Sequence, residues 1–197
     1  MKKQKASAAA VLIVLATLAL PARAAAQTDP AEGYTFYVAP HSHIDVVWYW
    51  TYDQTSVMCI DIMKHALALM RKDPRFTFTQ DQMTAIQPFW DSLGPDDKAF
   101  LLRMVRERRF ELASGNYLQP DEAESDFESL VRQFYPALSW METTFSTKVS
   151  TAWNIDTYGH TVQMPQLFRK AGLKYFVFQR DVLPSLEASI KSPFYWE

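Results

Sequence analysis

His43 and Asp45 stand two residues apart, shortly after the apolar run Tyr34-Thr35-Phe36-Tyr37-Val38-Ala39. On an extended backbone, residues i and i+2 point to the same side. The pair can aim an imidazole and a carboxylate at one point. That is half of a zinc site, since zinc takes nitrogen and oxygen ligands at about 2.0–2.2 Å. An H-x-D pair in a loop can equally bond to backbone and do nothing more. Trp48 follows with a flat apolar face. A second segment, Thr151-Ala152-Trp153-Asn154-Ile155-Asp156-Thr157-Tyr158-Gly159-His160, has the same layout, with Asp156 where a strand gives way to a loop. The chain then reads as helix and strand up to Arg180.

With both segments in view, the chain resembles glycoside hydrolase family 38, the class II α-mannosidases. The matching residues are His41-Ser42-His43-Ile44-Asp45-Val46-Val47-Trp48 and the Trp153–His160 segment, with Arg180 ending the next strand. Between them lie Phe110-Glu111-Leu112-Ala113-Ser114-Gly115-Asn116-Tyr117 and Pro120-Asp121-Glu122-Ala123. The resemblance covers residues 34–197. It implies a metal-dependent retaining α-mannosidase acting on mannose-containing oligosaccharides. His43, Asp45 and Asp156 would hold the metal, and Asp156 would also be the catalytic nucleophile. Trp48 and Tyr158 would meet the sugar, and Arg180 would keep Asp156 ionised. His41 and His160 would serve as hydrogen-bonding partners, not ligands. Zinc is the expected ion, and cobalt accepts the same ligands. Three stretches depart from the common family pattern: Ile44-Asp45-Val46-Val47 for Asn-Asp-Pro-Gly, Thr157 for Pro, and Asn116-Tyr117 for Gly-Trp. None removes a ligand or the nucleophile.

The elements that must position these residues alternate between strand and helix. Tyr34–Ala39 is the first expected strand. A helix over Thr55–Lys72 carries Val57, Ile60, Met63, Leu67 and Met70 at spacings of three and four. Phe76–Thr79 reads as strand, Asp81–Ser92 as a helix bent or divided at Pro88, and Pro95–Arg109 as a helix opened by its proline. Phe110–Ala113 is strand, and Ser125–Phe145 is a helix interrupted or kinked at Pro136. Val149–Trp153 is the motif strand, Met164–Ala171 a helix closed by Gly172, and Lys174–Gln179 a strand. Alternation of this kind argues for an α/β fold with a parallel sheet. The resemblance makes it the first part of an irregular seven-stranded parallel β/α barrel, whose chemistry would sit at the carboxyl ends of the strands. Asp121 and Glu122 read as helix-starting, rim residues, favoured there as acids. Gln80-Asp81-Gln82 follows a strand and is a weaker candidate for substrate contact. Met83, Met104, Met141 and Met164 read as core.

Residues 1–26 read as an export signal. Lys2, Lys3 and Lys5 precede an apolar stretch, Ala8–Leu20, shorter than the roughly 20 residues of a membrane span. Small residues around Ala24 and Ala26 offer cleavage. The expected product is periplasmic or secreted, with no stable membrane span once the signal is removed. Taking four basic residues from the chain's 20 leaves 16 against 22 acidic ones, a formal charge of −6. That balance argues against nucleic acid as partner, since phosphate binding needs clustered cations. Arg103, Arg106, Arg108 and Arg109 do cluster, on what reads as a solvated helix face. Cys59 is the sole cysteine, so no intrachain disulfide forms. It falls within an apolar helical run, as a buried and inert residue.

Residues 27–197 read as part of a catalytic domain. Ser192–Glu197 looks like the start of another strand, so the chain is expected to be a fragment, inactive alone. The family's acid/base carboxylate and remaining metal ligand would lie beyond residue 197. Two other functions compete. A polysaccharide deacetylase also holds a metal on His and Asp, with an Asp as base. A non-catalytic carbohydrate-binding remnant needs only the aromatics and the metal.

Overall fold

The computed structural model describes residues 35–180, and the chain divides into two units, Met1–Val38 and Ala39–Glu197. The expected signal at 1–26 and the aromatic strand at Ser192–Glu197 lie outside the described residues. In the first unit, residues 35–38 are exposed and form no strand. The expected first strand is thus reduced to what begins in the second unit. There the Pro40 carbonyl accepts from Thr79 N–H at 2.8 Å, and His41 bridges Thr79 in parallel.

Helix α1, Tyr52–Lys72, starts at Thr51, whose hydroxyl accepts from Gln54 N–H while the Gln54 side chain accepts from Thr51 N–H, a capping box. It begins one turn earlier than the apolar periodicity suggests, because the cap lies outside that periodicity. Met63, Leu67 and Met70 are buried as expected, but Val57 is 67% exposed. Strand β1, Phe78–Gln80, leads to helix α2, Met83–Asp91, and helix α3, Pro95–Arg106. Strand β2 is Phe110–Leu112, helix α4 is Phe127–Phe145, strand β3 is Thr151–Asn154, helix α5 is Met164–Ala171 and strand β4 is Tyr175–Phe178. Pro88 and Pro136 lie inside continuous helices and divide neither. Gly172 closes α5 with φ 83°, a left-handed conformation that favours glycine.

The strands pair in parallel, β1 with β2 from Phe78↔Phe110 and β3 with β4 from Thr151↔Tyr175. Backbone links continue across the two sheets. Ala113 N–H donates to the Gln80 carbonyl at 2.9 Å, and Ser114 N–H donates to the Thr151 carbonyl at 2.7 Å. The result is a mixed α/β fold of two parallel strand pairs, and within each pair the carboxyl ends of the strands face the same way. Met63, Leu67, Ile86, Phe89, Phe110 and Met141 are buried in the core, with the Phe89 and Phe110 rings stacked 6.4 Å apart. Met83, Met104 and Met164 are buried too.

Arg109 corrects the solvated-face reading of the arginine cluster. The helix ends at Arg106, and the half-buried Arg109 guanidinium donates to the carbonyls of Met70, Asp73 and Phe76 at 2.9, 2.7 and 3.1 Å. It ties off the end of α1, satisfying carbonyls that a helix terminus leaves open. Cys59 is buried, and burial, reinforced by the charge of Asp81, pushes its thiol up to about 11. Such a thiol stays protonated and inert at neutral pH. No helix among the described residues is long and apolar enough to cross a membrane.

Candidate functional site

His43 and Asp45 sit on the loop that leaves the Thr79 bridge and enters α1. Thr55 of helix α1, and Trp50 just before the helix, hold that loop in place. Thr55 Oγ1 donates to the Val46 carbonyl at 2.7 Å, and Trp50 Nε1–H donates to the Asp45 carbonyl at 2.9 Å. Asp156 comes from the loop after β3. His43 Nε2 stands 3.2 Å from Asp156 Oδ2 and 3.8 Å from Asp45 Oδ1. One candidate ligand atom from each of the three residues lies within 4.8 Å of the others. Neither ring nitrogen of His43 has a hydrogen-bond partner, although both are shielded from solvent. A buried polar atom left unpaired is costly, and here it leaves an imidazole lone pair free for a cation. The set of one imidazole and two carboxylates suits zinc or another divalent ion, and it fits the ligand set the sequence suggests.

The other oxygen of Asp156, Oδ1, forms an ion pair with Arg180 Nε. Arg180 follows β4, the neighbour of β3, so strand pairing itself brings cation and carboxylate together. Arg180 Nη1 also donates to Tyr158 Oη at 3.4 Å, and its guanidinium carbon lies 5.3 Å from the Tyr158 ring centroid. His43, Asp45, Asp156, Arg180 and Tyr158 are therefore joined by contacts. Trp48 is 57% exposed, and its ring meets Tyr49 edge-on at 5.2 Å. Among the described residues it takes no part in that chain of contacts.

His41 Nε2 lies 3.0 Å from Asp81 Oδ1, and its ring packs 4.9 Å from Trp153. Gln80, Asp81 and Gln82 are all buried, and Gln82 Oε1 accepts from Gln119 N–H at 2.9 Å. They brace the loops beneath the site, which corrects the reading of this triplet as a substrate contact.

Asp121 and Glu122 also differ from expectation. The helix starts at Phe127, and its cap is Asp126, whose carboxylate accepts from Ser129 N–H at 2.9 Å. Glu122 is buried, not on the rim. Its Oε1 accepts from Asn154 Nδ2 at 2.5 Å, and its Oε2 lies 3.3 Å from His160 Nδ1. Asn154 in turn accepts from Asn116 Nδ2 at 3.3 Å. Periodicity could not reveal this network. The available signal was a polar Asn ending β3, two residues before Asp156, and another Asn four residues past β2.

The turn at Asp121–Ser125 presses directly on the loop after β3. Asp121 Oδ1 accepts from Tyr158 N–H at 3.2 Å, and a side chain at Gly159, φ 74°, would overlap the Ala123 methyl. Gly159→Ala is expected to destabilise the protein by about 1–3 kcal/mol, combining a left-handed backbone with that overlap. Urea denaturation measures it, and an unchanged midpoint would refute the close approach.

Residues 33–197 match the glycosyl hydrolases family 38 N-terminal domain. Alpha-mannosidase 2x from Mus musculus is 30% identical over 150 residues, 76% of this chain and 13% of that protein. Alpha-mannosidase G from Dictyostelium discoideum is 29% identical over 161 residues, 80% of this chain and 14% of its own length. The chain thus spans a small share of the curated relatives it matches. An alpha-mannosidase from Enterococcus faecalis V583 superposes with a TM-score of 0.62 at 25% identity, over 71% of this chain and 16% of that one. The strand-end histidine, the paired Asp156 and Arg180, and the match over residues 33–197 have one common explanation: the chain belongs to glycosyl hydrolase family 38.

Proposed function

We propose that the protein is a metal-dependent retaining α-mannosidase that removes terminal mannose from oligosaccharides or glycans. The observation that carries this reading is the convergence of His43, Asp45 and Asp156, with Arg180 on the far oxygen of Asp156. The relatives named alpha-mannosidases support the substrate class. His43, Asp45 and Asp156 would hold a zinc ion, or cobalt in its place. The ion would supply Lewis-acid binding of vicinal sugar hydroxyls.

The remaining chemistry belongs to the side chains. Asp156 attacks the anomeric carbon, and the bond from that carbon to the leaving oxygen breaks. A second carboxylate protonates that oxygen; water then attacks the same carbon as that carboxylate takes its proton, and the bond from the carbon to Asp156 breaks. Arg180 keeps Asp156 charged before attack, as a cation beside a carboxylate does. Tyr158 and Trp48 offer ring faces to the apolar side of the sugar. In this reading the side-by-side parallel strands are the opening part of a seven-stranded barrel. The protein is exported to the periplasm or secreted.

A fluorinated mannosyl fluoride tests the assignment in the intact protein. It should stall after forming the glycosyl ester, and peptide mass spectrometry should find the label on Asp156. A label on Asp121 or Glu122 would put the nucleophile on another loop. Release of acetate from an acetylated glycan, with no mannose released from an aryl α-mannoside, would replace the reading with the deacetylase.

A further inference from the structure

We propose that Glu122 is a positioning residue that holds Asp156 and Arg180 in register from beneath the site. The inference rests on the reading of Asp156 as the reacting carboxylate. The Glu122 side chain is fully buried, and a buried carboxylate persists only when partners satisfy its oxygens. All of its partners lead toward the reacting pair. Oε1 accepts from Asn154, the last residue of β3, two positions before Asp156. Oε2 accepts from Thr161 N–H at 3.4 Å and faces His160 Nδ1. His160 Nε2 lies 3.0 Å from the backbone carbonyl of Arg180. The His160 ring therefore stands between the Glu122 carboxylate and the Arg180 carbonyl, one ring nitrogen on each.

Glu122 thereby grips the end of β3 through Asn154 and the residue after β4 through His160. Asp156 and Arg180 are carried by those same two strands. The rings of Phe176 and Phe178 stand edge-on to His160, 5.7 and 5.1 Å away, and fix its plane against β4. Asp121 on Tyr158 N–H and the close fit of Ala123 on Gly159 press the same turn onto the same loop. Glu122 touches neither Asp156 nor Arg180 side chain in this arrangement. Its effect passes through Asn154 and His160.

The test uses Glu122→Ala and His160→Gln in the intact protein, with Met104→Ala, a buried core change in α3, as the stability control. Two readouts are needed. The first is kinetic: kcat on an aryl α-mannoside should fall about 10- to 100-fold, the usual cost of losing an outer partner, in both variants. KM should stay within about threefold, because the lost alignment matters in the transition state. The second is independent of activity. Arg180, already half exposed but held by Asp156, should react with phenylglyoxal at least about fivefold faster once its strand end is released and that ion pair loosens. Met104→Ala should lower the melting temperature and change neither readout. His160→Gln decides the matter if Glu122→Ala does not fold. Arg180 labelling and kcat in His160→Gln equal to those of the Met104→Ala control would overturn the proposal. A wild-type protein inactive on mannosides would sink the mannosidase reading instead, and the Arg180 labelling would still decide for or against Glu122.

Discussion

Asp156→Asn in the intact protein is expected to lower turnover of an aryl α-mannoside at least about a thousandfold, the scale on which removing one member of a catalytic unit acts. The amide nearly keeps the carboxylate's shape and can still offer an oxygen to a cation. It loses the charge and the nucleophilicity. The fold should survive. The ion pair it breaks with Arg180 is half exposed on the arginine side, and such pairs contribute about 0–1 kcal/mol. Melting temperature and bound metal therefore need measuring beside kcat, to separate lost chemistry from lost structure. Azide gives a sharper check. A small anion entering beside the substituted amide should restore turnover and yield a mannosyl azide of inverted configuration. A variant within tenfold of wild type, or one that azide leaves dead while metal and fold are intact, would remove Asp156 from the nucleophile's role.

Much of what positions Asp156 was legible in the residues, and the reason is local. The helix Met164–Ala171 and its Gly172 cap come from a proline near one end and a glycine at the other, both short-range signals. The alternation of strand and helix foretold parallel pairing, and β3 beside β4 then brings Arg180 to Asp156. What periodicity could not foretell depends on distant partners. Arg109 looked solvated because its three carbonyl partners lie more than thirty residues upstream. Glu122 looked like a helix cap because two adjacent acids before a helix usually are. Its partners, Asn154 and His160, arrive only when β3 packs beside β2. Val57 fits the helical period of its neighbours, yet α1 turns it to the exposed side. Tyr34–Ala39 had the composition of a strand, but composition cannot supply a neighbour. Pairing begins at Pro40 and His41, where Thr79 provides one.

Metal retention is expected to fail in His43→Ala and in Asp45→Ala, with affinity for zinc falling about 100-fold or more, beyond the 10–100-fold that outer partners cost. The two residues share one loop and face Asp156 across a gap that a single ion can span. Each contributes a different donor. His43 supplies the sole imidazole in the cluster, its Nε2 3.2 Å from Asp156 Oδ2 and its Nδ1 without a hydrogen-bond partner. Asp45 supplies charge that Asp156 cannot replace, because one oxygen of Asp156 already serves Arg180. Equilibrium dialysis with elemental analysis measures the loss without any substrate. Thermal melting measures it again, since a ligand at 100 times its Kd stabilises the folded state by about 2.7 kcal/mol. Zinc should raise the wild-type melting temperature and leave both variants unmoved at the same concentration. His65→Ala is the control. His65 is exposed on α1 and pairs with Asp61, so its loss should change neither measurement. Normal zinc content in both His43→Ala and Asp45→Ala would mean that the three side chains converge for another purpose. His43 would then act as a donor, with Asp156 Oδ2, 3.2 Å from its Nε2, the nearest acceptor.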